Sequence, residues 1–80
     1  MWNHRILAHE FPNGNIEFHI HEVYYDNHGI ADGCTKNPIT IGGDDINSIY
    51  WQLEKIKDCL EKPILYFGDK FPQEYKKRII

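Results

Sequence analysis

The chain has 80 residues and a formal charge of −3 with its five histidines neutral. That length allows one domain, and one that buries only about 60–65% of the surface its unfolded form exposes. Mild acidity disfavours generic nucleic-acid binding, because affinity for phosphates comes from clustered Lys and Arg. The short basic run Lys76-Lys77-Arg78 reads as a solvated tail. Cys34 and Cys59 are far apart, in neither a C-x-x-C nor a zinc spacing. A reduced, cytoplasmic chain is therefore expected. "MWNHRILAHE" is too polar for a signal peptide, and the longest apolar run, "ILYF" at 64–67, is far short of a membrane span. Small domains often gain burial by pairing, so a homodimer is expected.

In chain order, 3–11 is a first strand. "PNGN" at 12–15 is a turn, with Asn-Gly suited to the positive φ values of a tight hairpin. At 16–25, Ile16, Phe18 and Ile20 alternate with Glu17, His19 and His21, the period of a half-buried strand. "DNHG" at 26–29 is a second turn. A third strand covers 30–36, with Gly33 marking a bulge or a close backbone contact.

Asp45 should cap a helix over 46–61, because its carboxylate can accept an orphan N–H and oppose the helix dipole. Pro63 ends that helix. Residues 64–67 form a short fourth strand or an extended segment, and Pro72 is placed to open a terminal helix. The expected fold is α+β, in the order β-β-β-α. A three-stranded antiparallel sheet carries one amphipathic helix on one face. Residues 1–65 form the domain and 66–80 a tail or short helix.

Ile46, Ile49, Leu53, Ile56 and Leu60 form the helix stripe, which should pack on the sheet face bearing Ile16, Phe18 and Ile20. Trp51 points roughly 180° away. Either the tail folds back over the indole, or Trp51 anchors another molecule, as tryptophan often does at interface hot spots. The second is preferred, because the tail is short and must first turn at Pro63. Lys55, one turn on, can stack on the ring. The opposite sheet face, with Glu17, His19, His21, Val23 and Tyr25, is an ordinary polar face or a partner surface. The expected partner-binding residues are Trp51, Lys55, His19, His21 and Tyr25.

His19 and His21 share a strand face, and His4, His9 or His28 can approach from neighbouring strands, but no third ligand is fixed. "HIHE" lacks the helical H-E-x-x-H spacing, so no metal and no cofactor are expected. Glu22 falls by alternation on the apolar side. That calls for a bulge, a place at the sheet margin, or a pairing with Lys36 or Arg5. In "GGDD" at 42–45, paired Asp side chains would repel a phosphate at the helix start. No catalytic residues are assigned, and both cysteines read as packing residues.

"MWNHRI", "HEVYYD", "NP" at 37–38 and "LEKPIL" resemble a family of short, uncharacterised bacterial and phage-associated proteins. Its members carry M-W-N-x-R-[IV], then I-H-E-V-Y-Y-D, then E-K-P-[IV]-L. The resemblance covers about 1–65. Trp2, Asn3 and Arg5 match the first motif, and residues 21–26 the second. The chain departs from the family at Trp51, where a charged residue is usual, and after Leu65. The order of elements is also similar to the HicB-type antitoxin domain, which binds a small toxin ribonuclease. That likeness implies a non-enzymatic protein-binding module. No helix-turn-helix fits after residue 65, so direct operator binding is not expected. Two alternatives stand beside it: a phage-type inhibitor of a host defence nuclease, and a metal-dependent enzyme built on the strand histidines.

Overall fold

A computed structural model of the chain describes residues 1–76. The elements are β1 (Trp2–Glu10), β2 (Ile16–Tyr25), β3 (Ala31–Cys34), α1 (Ile46–Ile56), a 3₁₀ turn (Lys57–Glu61) and β4 (Leu65–Tyr66). The four strands lie in the order β3-β2-β1-β4. β1 pairs antiparallel with β2, and β2 with β3, whereas β4 lies parallel to β1. The fold is α+β, a mostly antiparallel sheet with one helical segment.

Both hairpin turns use the same device. Phe11 N–H donates to the Asn15 carbonyl while Gly14 N–H donates back to Phe11. Asp26 and Gly29 repeat this arrangement with Ile30. Each is a three-residue loop, a turn followed by a glycine at positive φ, 90° at Gly14 and 78° at Gly29. Of the Asn-Gly pair expected to supply positive φ values, Gly14 does so and Asn13 keeps a negative φ. The Asp26 carboxylate adds bonds from the N–H groups of His28 and Ile30. The register shift between Tyr24 and Tyr25 leaves Asp32, beside Gly33, as the extra residue of β3, so the irregularity falls next to the expected glycine. β3 is shorter than 30–36, although Thr35 N–H still donates to the Glu22 carbonyl.

Register assigns the two faces, because directly opposed residues point the same way. Arg5 lies opposite His21, Leu7 opposite His19, and Asn3 opposite Val23. Those residues, with Leu65, form one face. Its core is Leu7, Val23 and Leu65, with Tyr25, Ala31, Cys34, Phe67 and Phe71 packed against it. The face expected to be left over is thus the better buried one. The chain after β4 closes it: Phe67 N–H donates to the Ala8 carbonyl, and Phe71 turns back over the core. Residues 66–76 belong to the same packed unit as 1–65. Tyr75 continues onto the other face, edge-on to Phe18 and to Tyr66. Pro72 opens no helix among the described residues; Glu74 instead bridges antiparallel to Leu65.

The helical segment spans 46–61 as expected, tightening to 3₁₀ over its last five residues. Asp45 is its cap: Oδ1 accepts the Ser48 N–H at 2.9 Å. The segment lies beside Trp2, His4 and Glu22, on the predicted face, but the predicted packing is not made. Only Ile56 of α1 and Cys59 of the 3₁₀ turn are buried; Ile46, Leu53 and Leu60 are exposed. Anchorage is concentrated at the C-terminal end, where Arg5 donates to the Pro63 carbonyl at 2.7 Å and 3.3 Å. The N-terminal turns stand off from the sheet.

Candidate functional site

Trp2 begins β1 and sits opposite Tyr24, at the end of the hairpin's pairing. Trp51 and Lys55 are one helical turn apart. The Lys55 ammonium lies between the two indoles, 4.7 Å from the Trp2 ring centre and 5.4 Å from that of Trp51. Each contact is worth about 0.5–1 kcal/mol at an exposed site. The Trp2 ring stands edge-on to His4, with centres 5.3 Å apart. Together with Glu22 and Gln52, these side chains line a cleft of about 220 Å³ at the junction of sheet and helix. Trp51 is 60% exposed and Trp2 43%. Among the described residues, the chain after Pro63 does not cover Trp51.

Gln52 fastens the rim of this cleft. Its Nε2 donates to the Gly42 carbonyl at 2.7 Å and to Ser48 Oγ at 3.1 Å, and its Oε1 accepts the Gly42 N–H. The loop then runs so close to the helix start that a Cβ on Gly43 would lie 2.6 Å from Ser48 Oγ. "GGDD" is accordingly a packing and capping element. Burial lowers the pKa of His4 against the opposing pull of Glu22, with Lys55 adding to the lowering, so its imidazole is neutral at pH 7. Glu22 makes neither of the expected pairings; it accepts a bond from Tyr24 Oη at 3.2 Å.

On the other face, His21 is fully buried, 0% exposed. Its Nδ1 lies 3.0 Å from the Thr35 carbonyl, an acceptor, so Nδ1 carries the proton and Nε2 the lone pair. His9 Nε2 is 2.8 Å away and donates to it. The ring centres are 5.0 Å apart with planes inclined by 24°. At that nitrogen separation the rings meet head-on, in nearly one plane. Phe67 stacks flat on His9, centres 4.2 Å apart and planes 8° apart, and overlies His21 as well. His19 touches His9 edge-on and pairs with the exposed Glu17 at 2.9 Å. Of the histidines weighed as neighbours, β1 brings in His9, whereas His4 faces the opposite side and His28 lies in a turn. Nitrogens aimed at each other along one line do not converge on a third point about 2.0–2.1 Å from both, as a shared metal requires. Among the described residues, no three His, Cys, Asp or Glu side chains form a metal-holding group.

Of the expected contact residues, Trp51 and Lys55 fall in one exposed cleft and His19 lies near the surface of the other face. His21 presents no area to a partner. Tyr25 is half-buried and committed inward: its Oη donates to Asn3 Oδ1 at 2.7 Å and accepts from Arg5 Nη1 at 2.9 Å. Asn3, Arg5, Tyr25 and Pro63, drawn from three separate motifs, are thus one hydrogen-bonded knot that ties β1, β2 and the end of the helical segment together. Trp2 is the residue of this cleft that sequence reasoning missed. Its place at the head of a strand gives no angular clue, and only the fold brings it to Lys55. Burial raises the thiol pKa of both Cys34 and Cys59, which keeps them protonated and weakly nucleophilic at neutral pH. Among the described residues, no helix is long and apolar enough to cross a membrane. No family model, curated protein or solved structure matches this chain.

Proposed function

We propose that the chain is a non-enzymatic protein-binding module that acts by protein–protein contact in the manner of a HicB-type antitoxin, with a small toxin ribonuclease as its partner. One observation carries this: two indoles stand open to solvent around a lysine, at a cleft that none of the described residues fills. Tryptophan and charge in that arrangement suit a hot spot, where an aromatic anchor is ringed by polar groups. The Lys55 ammonium adds a site for a partner carboxylate, and Glu22 one for a partner cation. A second reading is inhibition of a defence nuclease by a small acidic chain that blocks a basic channel, which the charge of −3 favours.

The test is affinity capture from the native host with wild type, Trp51→Ala, and Ile30→Ala as an exposed apolar control elsewhere. Wild type and the control should recover a small ribonuclease, and the captured enzyme should regain activity when the bait is removed. Trp51→Ala should lose it. Equal recovery by all three sinks the assignment, and recovery of a large nucleic-acid-guided nuclease instead favours the second reading.

A further inference from the structure

The Trp51 cleft holds two opposite charges that do not meet. Lys55 and Glu22 both line it, yet among the described residues neither has an ion-pair partner. The Lys55 ammonium sits instead over the faces of Trp2 and Trp51. Glu22 is half-buried and accepts one neutral bond, from Tyr24. His4, neutral at pH 7, brings no positive charge to it. Gln52, on the rim, uses its amide on Gly42 and Ser48. What the cleft leaves unused is a carboxylate and the open sides of two indoles.

Resting on the reading of this cleft as the partner site, we infer that it takes an arginine side chain of the partner, stacked on the indoles and held by Glu22, and that Lys55 keeps the place until the arginine displaces it. Three observations select that occupant. The first is size. At about 220 Å³ the cleft is smaller than the roughly 300–1,000 Å³ of a small-molecule site, so it admits a single side chain. The second is sign. The indole faces are electronegative and already hold a cation. A carboxylate would be drawn to Lys55 but repelled by Glu22 and by the rings. An apolar side chain would cover Glu22 and leave it unpaired, at a cost in desolvation. The third is exchange. A guanidinium is planar, stacks on aromatic faces and is more weakly hydrated than an ammonium. It can also make two parallel bonds to one carboxylate. Lys55 competes with its two ring contacts alone, and its flexible stem lets it return to water. An enzyme that binds RNA relies on cationic side chains at the phosphate backbone, so sequestering one of them would inhibit it.

The probe is Nα-acetyl-arginine amide, titrated into the full chain at constant ionic strength, with the citrulline analogue as its uncharged isostere. The indole N–H resonances of Trp2 and Trp51 report binding. Both should shift saturably with arginine and not with citrulline. Lys55→Ala should tighten arginine binding by about 5- to 25-fold, the competition lost with its two ring contacts. Glu22→Gln should weaken it by about tenfold through loss of the charged acceptor. Trp51→Ala should weaken it too, read at Trp2, with the circular dichroism spectrum unchanged because Trp51 is exposed. Equal response to arginine and citrulline overturns the inference. So does the absence of a saturable shift in both wild type and Lys55→Ala, or a Lys55→Ala chain that binds arginine no more tightly than wild type. In capture from the host, Lys55→Ala should recover the ribonuclease at least as well as wild type. If wild type recovers it and Lys55→Ala does not, the partner meets Lys55 itself, and the inference fails while the proposed function stands. If arginine binds as expected and no ribonuclease is recovered, the proposed function fails alone.

Discussion

The buried histidine pair makes stability depend on pH in a direction fixed by its geometry. His21 already uses Nδ1–H on the Thr35 carbonyl and its Nε2 lone pair on His9. A proton added to Nε2 would set two N–H groups head to head beneath Phe67. Burial holds the His21 pKa below its ordinary value, with His19 adding to the lowering and the Thr35 bond opposing it. Burial also lowers His9, helped by His21 and His19 against Glu17. In the unfolded chain both titrate near 6.5. Below that pH the unfolded chain binds more protons than the folded one, so stability present at neutral pH is lost as pH falls through 6.5 towards the folded values. Each excluded proton costs at most about 1.4 kcal/mol per pH unit, so His21 alone is bounded at about 2 kcal/mol at pH 5. His9 adds less, being half-exposed and able to take a proton on Nδ1 while keeping its bond to His21. A chain of this length holds on the order of 4–12 kcal/mol in all. Urea melts at pH 7.5 and 5.0 should therefore show the midpoint fall by roughly 1–2 M. His21→Asn keeps a donor for the Thr35 carbonyl and removes the titrating group. It should lower stability at pH 7.5 yet flatten the pH dependence. Equal pH dependence in both proteins, or no fall in wild type, would refute the buried neutral pair.

Arg5→Ala should cost about 2–4 kcal/mol, because it leaves the Pro63 carbonyl and Tyr25 Oη short of a donor inside the fold; thermal melts measure it. Asp45→Ala should cost about 1 kcal/mol through loss of the Ser48 cap, seen as a lower urea midpoint with little change in helix signal at zero denaturant. Gly43→Ala should destabilise by about 1–3 kcal/mol, since the new Cβ meets Ser48; thermal melts measure it. Lys55→Ala should change tryptophan emission by freeing both rings, with a stability loss of about 1–2 kcal/mol.

Local chemistry carried much of the fold. Alternation from Ile16 to Tyr25 marks β2 because side chains on a strand change face at every residue. Asp45 and Pro63 mark the ends of the helical segment because a cap and a proline act within one turn. The exposure of Trp51 was likewise legible from its angle on the helix. Less could be read where an outcome depends on which of two faces becomes the core. Apolar spacing placed the helix stripe against the face bearing Ile16, Phe18 and Ile20, but the opposite face holds the core, because Phe67 and Phe71 arrive there and close it. Nothing in the pattern ranks one face above the other. The polar look of His19 and His21 suggested a wet face, although His21 finds all its hydrogen bonds inside and is buried without penalty.

By itself, the chain's order of residues determined the two long strands, the helical segment with its limits, and the one-residue alternation that divides β2 into two faces, since these follow from backbone geometry and near neighbours. Only the tertiary structure decided which face became the core, which histidine met His21, and that Trp2 and Trp51 share Lys55. Such outcomes join residues far apart along the chain, on the scale of the 58 positions between Arg5 and Pro63. Contacts of that range are fixed by register and by the path of the C-terminal segment, which local sequence does not encode.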